Sequence, residues 1–415
     1  MYKINPNKLI NNLVKILLIS TFFDAYCLFY ISSYPVTLFT IIAIMLVITS
    51  IVSNALKHQW NLNLQECWAI IFLIYTCVNC IIFSFSNFNA LLQAIFFVVV
   101  FVSSKRYIKL EEFDDCISVF QIGMNTLSVY GIYQFFGRLR GLPFTDLTIV
   151  NHMVNGYNWS NTTPFLNTTV YRSNAIFREP SFFAQFLAIN ILFYIVALFN
   201  GRRERRSIFF IALNGIALLM TLSGTGFIIF SVGLLIYIFF KFGDRKFLRH
   251  SIGYFIGLLV VALIVIRFTQ VGNYLTARIT ELFVYDKDAA AGFVRFRAWT
   301  SLLQGDWGHH RLIGIGIGAS KVLVEKWSSV YYALTLNGFA KILIELGIIG
   351  IVLWMLFIIS FFWCQVKKHS DYALMIVCIL VPYMICHDTF SSNVYWIFLI
   401  LLNCYIFTCK EETDD

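Results

Sequence analysis

A succession of long apolar runs, separated by short polar or basic breaks, governs what this chain can fold into, because roughly 20 apolar residues cross the hydrocarbon core of a bilayer. On that template the sequence predicts spans at 13–31, 36–53, 67–85, 88–103, 116–136, 180–199, 207–222, 226–240, 251–268, 338–362, 371–387 and 394–409. Composition agrees, with 59% of residues apolar and 13% charged, and a mean hydropathy of +0.76. These values exclude an ordinary soluble domain. The expected fold class is an all-α polytopic membrane protein of about twelve transmembrane helices with two large loops on its outer face.

Charge orients the spans. Lys3, Lys8 and Lys15 lead into the first one and no small-residue cleavage pattern follows, so it reads as a retained signal anchor with a cytoplasmic N-terminus. Twelve alternations from there put the basic clusters Lys105/Arg106/Lys109, Arg202–Arg206, Lys241–Arg249 and Lys367/Lys368 inside, and the C-terminus inside as well. The short connections left outside, at Ser32–Pro35, Ser86–Asn87, Ser223–Thr225 and Asp388–Asn393, contain no Lys or Arg. The predicted organisation is a five-helix segment over 1–136, a first outer loop over 137–179, a four-helix segment over 180–268, a second outer loop over 269–337, and a three-helix segment with a short tail over 338–415. The block 207–240 reads as a hairpin, because basic clusters flank both ends and Ser223-Gly224-Thr225-Gly226 interrupts it. The inner basic loops account for the net charge of +9, so no nucleic-acid partner is implied.

Chemistry concentrates in the outer loops. They and their margins hold Arg138, Arg140, Arg172, Arg178, Arg267, Arg278, Arg295, Arg297 and Arg311 against only Lys287, Lys321 and Lys326. The planar guanidinium fork matches phosphate bidentately and stays charged, so the set points to an anionic ligand; pairing with lipid headgroups or loop carboxylates is the alternative. The first loop interleaves Asn151, Asn155, Asn158, Asn161, Asn167 and Asn174 with Tyr157, Trp159, Phe165 and Tyr171. Amides match vicinal hydroxyls and aromatic faces match the apolar side of a sugar, although an ordinary Asn-rich surface loop has the same composition.

Arg178-Glu179-Pro180-Ser181 opens the run Phe182–Phe199, and charge at the lip of a span persists only for a reason. Glu179 reads either as a general base beside Arg178 or as a helix-terminus carboxylate. Glu345, inside span 338–362, is a second acidic candidate or a packing partner of Lys341 one turn earlier. Asp24 falls inside the first predicted span with no basic partner assignable to it, and reads as bundle-facing or snorkelling. Asp286-x-Asp288 has a metal-like spacing, but Lys287 separates the two and nothing nearby completes a site, so neither metal nor cofactor is expected.

At these residues the chain resembles a known family. Arg172-x5-Arg178-Glu179-Pro180-Ser181-Phe182-Phe183-Ala184 resembles the arginine-preceded Glu-Pro-Ser signature of Wzy-type O-antigen and capsule repeat-unit polymerases. Thr221-Leu222-Ser223-Gly224-Thr225-Gly226 is similar to the Ser-Arg/Gly-Thr-Gly break of the wider O-antigen polymerase and ligase superfamily. Arg295-x3-Trp299, Leu312-Ile313-Gly314-Ile315-Gly316-Ile317-Gly318 and Asn337-x7-Glu345-Leu346-Gly347-Ile348-Ile349-Gly350 resemble its C-terminal pattern in order and spacing. Ligases carry a His immediately before that Asn; this chain has Leu336, which favours the polymerase branch.

The resemblance implies a metal-independent glycosyltransferase of the bacterial inner membrane, working at the periplasmic face. It would transfer a growing glycan from its undecaprenyl-diphosphate carrier onto an incoming lipid-linked repeat unit, in O-antigen and lipopolysaccharide biosynthesis. Membrane lipid and a chain-length-determining co-polymerase are the further partners implied. The residues expected to be catalytic are Glu179, Arg178 and Arg295, and those expected to bind substrate are Arg172, Arg297, Arg311, Asn174 and Glu345. The alternatives are an O-antigen ligase acting on lipid A core, a capsule or exopolysaccharide polymerase, and a flippase for lipid-linked sugars.

Overall fold

A computed structural model describes residues 6–31, 34–57, 62–83, 86–104, 110–149, 152–155, 157–158, 161–165, 168–201, 204–244, 310–320, 337–366, 370–389 and 392–411, with isolated positions between 247 and 280. Eleven α-helices lie among the described residues. They are α1 (Pro6–Ser20), α2 (Leu38–Lys57), α3 (Leu64–Ile82), α4 (Phe88–Ser103), α5 (Leu110–Arg140), α6 (Pro180–Phe199), α7 (Glu204–Thr221), α8 (Gly224–Lys241), α9 (Gly338–Val366), α10 (Asp371–Cys386) and α11 (Asn393–Glu411). Two short antiparallel ribbons complete the inventory: β1 (Phe29–Ile31) with β2 (Tyr34–Val36), and β3 (Thr162–Phe165) with β4 (Thr168–Tyr171). Helices fit the requirement that backbone groups in hydrocarbon be paired within their own segment.

A helix stands at eleven of the twelve predicted spans; the twelfth, 251–268, lies largely outside the described residues. Four helices, α3, α6, α8 and Gly338–Trp363 of α9, are long and apolar enough to cross a membrane, with shorter apolar helices at Leu38–Ser53, α4, α10 and Asn393–Cys404. This is a multi-pass membrane protein, but the count of twelve crossings is not carried by helix length and hydropathy. Asp114 and Asp115 near the start of α5 and Arg138 and Arg140 in its last turn dilute that helix, as Arg205 and Arg206 dilute the first turn of α7.

Local sequence explains several helix starts. Asn63 and Glu66 form a reciprocal capping box, with the Glu66 amide donating to Asn63 Oδ1 at 2.8 Å and the Asn63 amide to Glu66 Oε2 at 2.9 Å. Asn87 accepts from the Asn89 amide at 2.9 Å ahead of α4.

Contacts between helix ends show that successive helices run in opposite directions between two ends of the bundle. At the basic end Lys15 meets Asp115 at 3.1 Å, Lys241 pairs with Asp371, and Cys404 donates to the Ser104 carbonyl. At the opposite, loop-bearing end the Gly338 amide donates to the His387 carbonyl at 2.7 Å and the Ser173 amide to the Met220 carbonyl at 3.0 Å. Helix α6 is the axis of the bundle. It is apolar all round, every residue but Phe182 is buried, and it packs chiefly on α7 and α8.

Hydrocarbon gives adjacent helices no hydrophobic reason to associate, so small and polar residues supply it. Asn190 of α6 donates to Asn214 of α7 at 2.9 Å and to Asn125 of α5 at 3.2 Å, and Asn214 donates to Asn125 at 2.9 Å. Ser128 adds a donor to Asn214 at 2.8 Å. On the other face of α6, a Cβ at Gly226 would stand 2.7 Å from the Ala184 carbonyl oxygen, so only glycine lets α8 approach this closely.

The first predicted span is corrected. Its helix runs Pro6–Ser20, a single 3₁₀ turn over Thr21–Phe23 follows, and the remaining apolar residues become extended chain. The competing partners are visible: the Cys27 amide donates to His152 O at 2.7 Å, Leu28 to Val36 O at 2.8 Å, and Tyr26 bridges Met153. Asp24 therefore lies beyond the end of the helix, at the loop-bearing end.

Candidate functional site

The segment leading into α6 is shaped by one buried amide. Gln134 of α5 accepts from the Asn174 amide at 3.0 Å, the Ala175 amide at 2.8 Å and the Ser173 hydroxyl at 3.1 Å, and its own amide donates to the Ala175 carbonyl at 3.2 Å. This grip holds Ala175 at φ +47°, a conformation a non-glycine residue keeps only when its surroundings impose it. Asn174 closes the next turn by donating to the Phe177 carbonyl at 2.7 Å. The chain then reaches Glu179 in extended conformation, and Pro180 starts α6 at the position where its missing N–H costs nothing.

Glu179 occupies the N-cap of α6, yet its carboxylate makes no cap hydrogen bond. It accepts instead from the Ser181 hydroxyl at 3.1 Å. Next to it, Arg178 donates from Nη2 to the Asn155 carbonyl at 3.0 Å, which docks the asparagine-rich loop onto the lip of α6. Asp24 arrives from α1, with its carboxyl on the Arg178 and Ala25 backbone amides. Enclosure pushes its pKa up to about 7; the Arg178 charge opposes that rise and the Glu179 charge adds to it. Its Oδ1 is buried without a hydrogen-bond partner among the described residues.

Arg172 and Asn174 serve the frame. Arg172 donates from Nε to the Thr221 carbonyl at 3.0 Å, satisfying a carbonyl at the end of α7 and tying the loop to the Thr221–Gly226 break. In that break Leu222 takes φ +48°, and the Ser223 and Thr225 hydroxyls lie 2.9 Å apart. Asn174 is fully buried, and besides Phe177 it contacts Tyr157 Oη at 3.3 Å and Arg138 Nη2 at 3.4 Å. Arg138, nearly buried and paired with Asp146, also donates to the Arg172 carbonyl at 3.0 Å.

A second cluster forms where α9 breaks. Gly347 has φ +70° and ψ −168° inside that helix, and the Leu312–Gly318 segment fills the gap. The Ile315 and Gly316 amides donate to the Ile344 and Glu345 carbonyls at 3.2 and 3.0 Å, while the Ile348 and Ile349 amides donate to Arg311 and Leu312 carbonyls at 2.9 and 3.1 Å. Tyr75 and Asn79 of α3 take the Leu346 and Ile313 carbonyls at 2.7 and 2.6 Å. A broken helix is tolerated in a membrane protein when its freed backbone groups are paired in this way. The break turns the buried Glu345 toward Ser320, whose hydroxyl donates to it at 2.6 Å. Lys341, read from sequence as the partner of Glu345, forms its bridge to Asp388 at 2.7 Å, with the Glu345 charge close by.

The Cys386–Thr389 turn joins the two clusters. The Phe182 ring lies 4.7 Å from the His387 ring, Gly338 is bonded to His387, and Lys341 to Asp388. One end of the bundle therefore presents Arg178, Glu179 and Asp24 beside Lys341, Asp388 and Glu345. Arg311 is exposed at the rim. Fixed cations stabilise a departing anion, and a half-buried carboxylate accepts a proton. Arg295, Arg297, Asp286 and Asp288 lie outside the described residues. Sequence reading missed Gln134, Asp388 and Ser320, and left Asp24 without a partner; each acquires its role from a residue distant in the chain.

Residues 207–355 match the family model described as O-antigen ligase. No curated protein matches the chain. The matched stretch runs from α7 through the Thr221–Gly226 break to the broken part of α9, so it takes in two of the structures that frame this site. The match covers 149 of the 415 residues and supports a likeness to the O-antigen polymerase and ligase superfamily over that stretch.

Proposed function

We propose that this protein is a repeat-unit polymerase, which moves a growing glycan from its undecaprenyl-diphosphate carrier to a sugar hydroxyl on an incoming lipid-linked unit. The observation that carries the reading is the state of Glu179: it stands at a helix N-cap without capping, beside Arg178 and at the end of a loop rich in amides and aromatics. In this scheme Arg178, with Arg295, draws charge off the leaving diphosphate, and Glu179 takes the proton of the acceptor hydroxyl as the new glycosidic bond forms. Arg297 and Arg311 hold the lipid-linked diphosphates, and Glu345 orients a sugar. The loop-bearing end faces the periplasm, both termini are cytoplasmic, and the chain crosses the inner membrane twelve times with the basic end inward.

The family model's description, O-antigen ligase, names a second reading, which here would mean transfer to lipid A core. Leu336, where ligases carry His, supports polymerase instead. The glycan ladder of a null strain separates these readings. Loss of a polymerase leaves core capped with one repeat unit, loss of a ligase leaves bare core with polymer on the carrier, and loss of a flippase strands single units on the inner leaflet. Long chains persisting in the null strain would exclude O-antigen polymerisation. Arg178→Ala is expected to abolish chain extension at unchanged protein level.

A further inference from the structure

At the loop-bearing end, α5 stops at Gly141, which takes φ +66°. The Leu142 amide donates back to the Gly137 carbonyl at 2.9 Å, the bond that closes a glycine-capped helix end. The chain then doubles back. Tyr130 donates to the Phe144 carbonyl at 3.1 Å, Gln134 to the Thr145 carbonyl at 2.9 Å, and Tyr133 to the Pro143 carbonyl. Tyr130 and Gln134 stand ten and six residues before Arg140, about 15 and 9 Å of helix. The segment 141–149 therefore lies beside the last turns of α5 and not beyond them.

What covers this segment follows from how it is turned. Its apolar side chains are outside: Phe144 is 76% exposed, and Leu142, Leu147 and Ile149 are exposed as well. Its carbonyls are taken up by the protein. Besides the three above, the Leu147 carbonyl accepts from the Tyr26 hydroxyl, and the Ile149 carbonyl from the His152 amide at 2.8 Å. A loop in water leaves carbonyls to solvent and tucks its large apolar side chains away. The reverse arrangement suits the edge of hydrocarbon, where irregular backbone is tolerated only when protein pairs its polar groups. The one charge in 141–149, Asp146, is paired with Arg138. Alongside, α5 exposes Ile122, Val129, Tyr133 and Phe136 at helical spacing, the face that a membrane span turns to lipid, and exposed Arg140 ends it at the level of headgroups.

We infer that 141–149 is a membrane-inserted loop, which dips Leu142, Phe144, Leu147 and Ile149 into the boundary between headgroups and acyl chains of the leaflet at the loop-bearing end. Its partner is a lipid surface. The inference rests on α5 crossing the membrane and not on the glycan chemistry. The same loop continues to Asn155, whose carbonyl holds Arg178, so the depth of the inserted side chains also sets the depth of that guanidinium.

Fluorine NMR of the full-length protein in phosphatidylcholine nanodiscs tests this, with trifluoromethylphenylalanine in place of Phe144 or, for comparison, of Ile122. The probes are phosphatidylcholine carrying a nitroxide near the ester end of an acyl chain, the same lipid with the nitroxide at the methyl end, and a water-soluble gadolinium chelate. The resonance at 144 is expected to be lost with the ester-end nitroxide and kept with gadolinium, and that at 122 to be lost with the methyl-end nitroxide. Loss of the 144 signal to gadolinium, with 122 still deep, would overturn the inserted loop and leave the span standing. Loss of both signals to gadolinium would overturn the loop together with the span. A 144 signal that no probe reaches would show protein covering the loop, which also overturns the assignment. Phe144→Asn gives a second reading, because Asn tolerates the φ of +59° at this position while removing the apolar side chain. Amide exchange across 142–148 in nanodiscs should then quicken about tenfold, the least that burying an aromatic side chain is worth. Exchange as slow as in wild type would count against insertion.

Discussion

Arg172 Nε donates to the carbonyl oxygen of Thr221, 49 residues along the chain, at 3.0 Å. One hydrogen bond thus links the loop that delivers Arg178 and Glu179 to the end of α7. A charge-assisted bond of this kind contributes about 1.5–3 kcal/mol. Arg172→Ala should therefore loosen the α7–α8 turn, read as faster hydrogen exchange at 221–225, and shorten glycan chains. Arg172→Lys should recover part of both effects. Slow exchange retained in Arg172→Ala would show that the bond positions nothing.

Glu179 offers a clean separation of base from cap. Its carboxylate makes no cap hydrogen bond in the structure, so Glu179→Gln should move thermal stability by no more than about 0.5 kcal/mol, the range of a neutral surface change. Loss of a general base lowers transfer by about 10²–10⁴-fold. The expected result is a melting curve like wild type and a glycan ladder reduced to single units. An intact ladder would remove Glu179 from the chemistry.

Much of this was open to sequence reading because membrane helices are written in contiguous residues. The boundaries of 88–103 and 180–199 coincide with α4 and α6, whose apolar runs are bounded by Asn87 and Pro180. The first helix was displaced because Cys27–Ile31, although apolar, finds partners in Val36 and His152 that no local pattern announces. The site divides in the same way. Arg178-Glu179-Pro180-Ser181 stands out locally. Glu345 stands out beside Lys341, whose charge it does feel, and the structure adds a partner to each. Helical spacing favours Lys341, the break at Gly347 brings in Ser320, and a turn 47 residues away supplies Asp388 to Lys341. Asn174 stands out by residue type as a sugar ligand, whereas its bonds to Gln134 and to the Phe177 carbonyl have no local signal.

Asp24 gives the pH dependence a sign. Its pKa is raised from 3.8 to about 7, so the folded protein binds this proton more tightly than the unfolded chain does. The stabilisation is then complete below about pH 4 and is lost as pH rises through about 7. The melting temperature of Asp24→Asn, measured from pH 5 to 8 in detergent, should fall less with rising pH than that of wild type. Parallel curves would show that Asp24 titrates normally. With Asp24 neutral, Arg178 faces one carboxylate fewer, so transfer should also show an inflection near pH 7 that Asp24→Asn lacks.

Gly347 is the residue on which the second cluster turns. Its φ of +70° lies in the left-handed region, and a Cβ there would stand 2.4 Å from the Leu312 carbonyl oxygen. Gly347→Ala therefore adds backbone strain of about 1–3 kcal/mol and presses on backbone instead of a side chain that could swing aside. The neighbouring chain has no room to yield, because Leu312 already accepts from Ile349, and Ile313 from Asn79. Straightening α9 would relieve the strain but would release the Leu312–Gly318 segment and separate Ser320 from Glu345. Gly347→Ala is thus expected to lower yield and melting temperature, and in the protein that does fold, to expose the segment to proteolysis at Arg311. Gly350→Ala provides the comparison, since its Cβ would meet chiefly the Leu346 side chain of the same helix. If both variants melt alike and Arg311 stays protected, the break in α9 is incidental and Glu345 is held by something other than this loop.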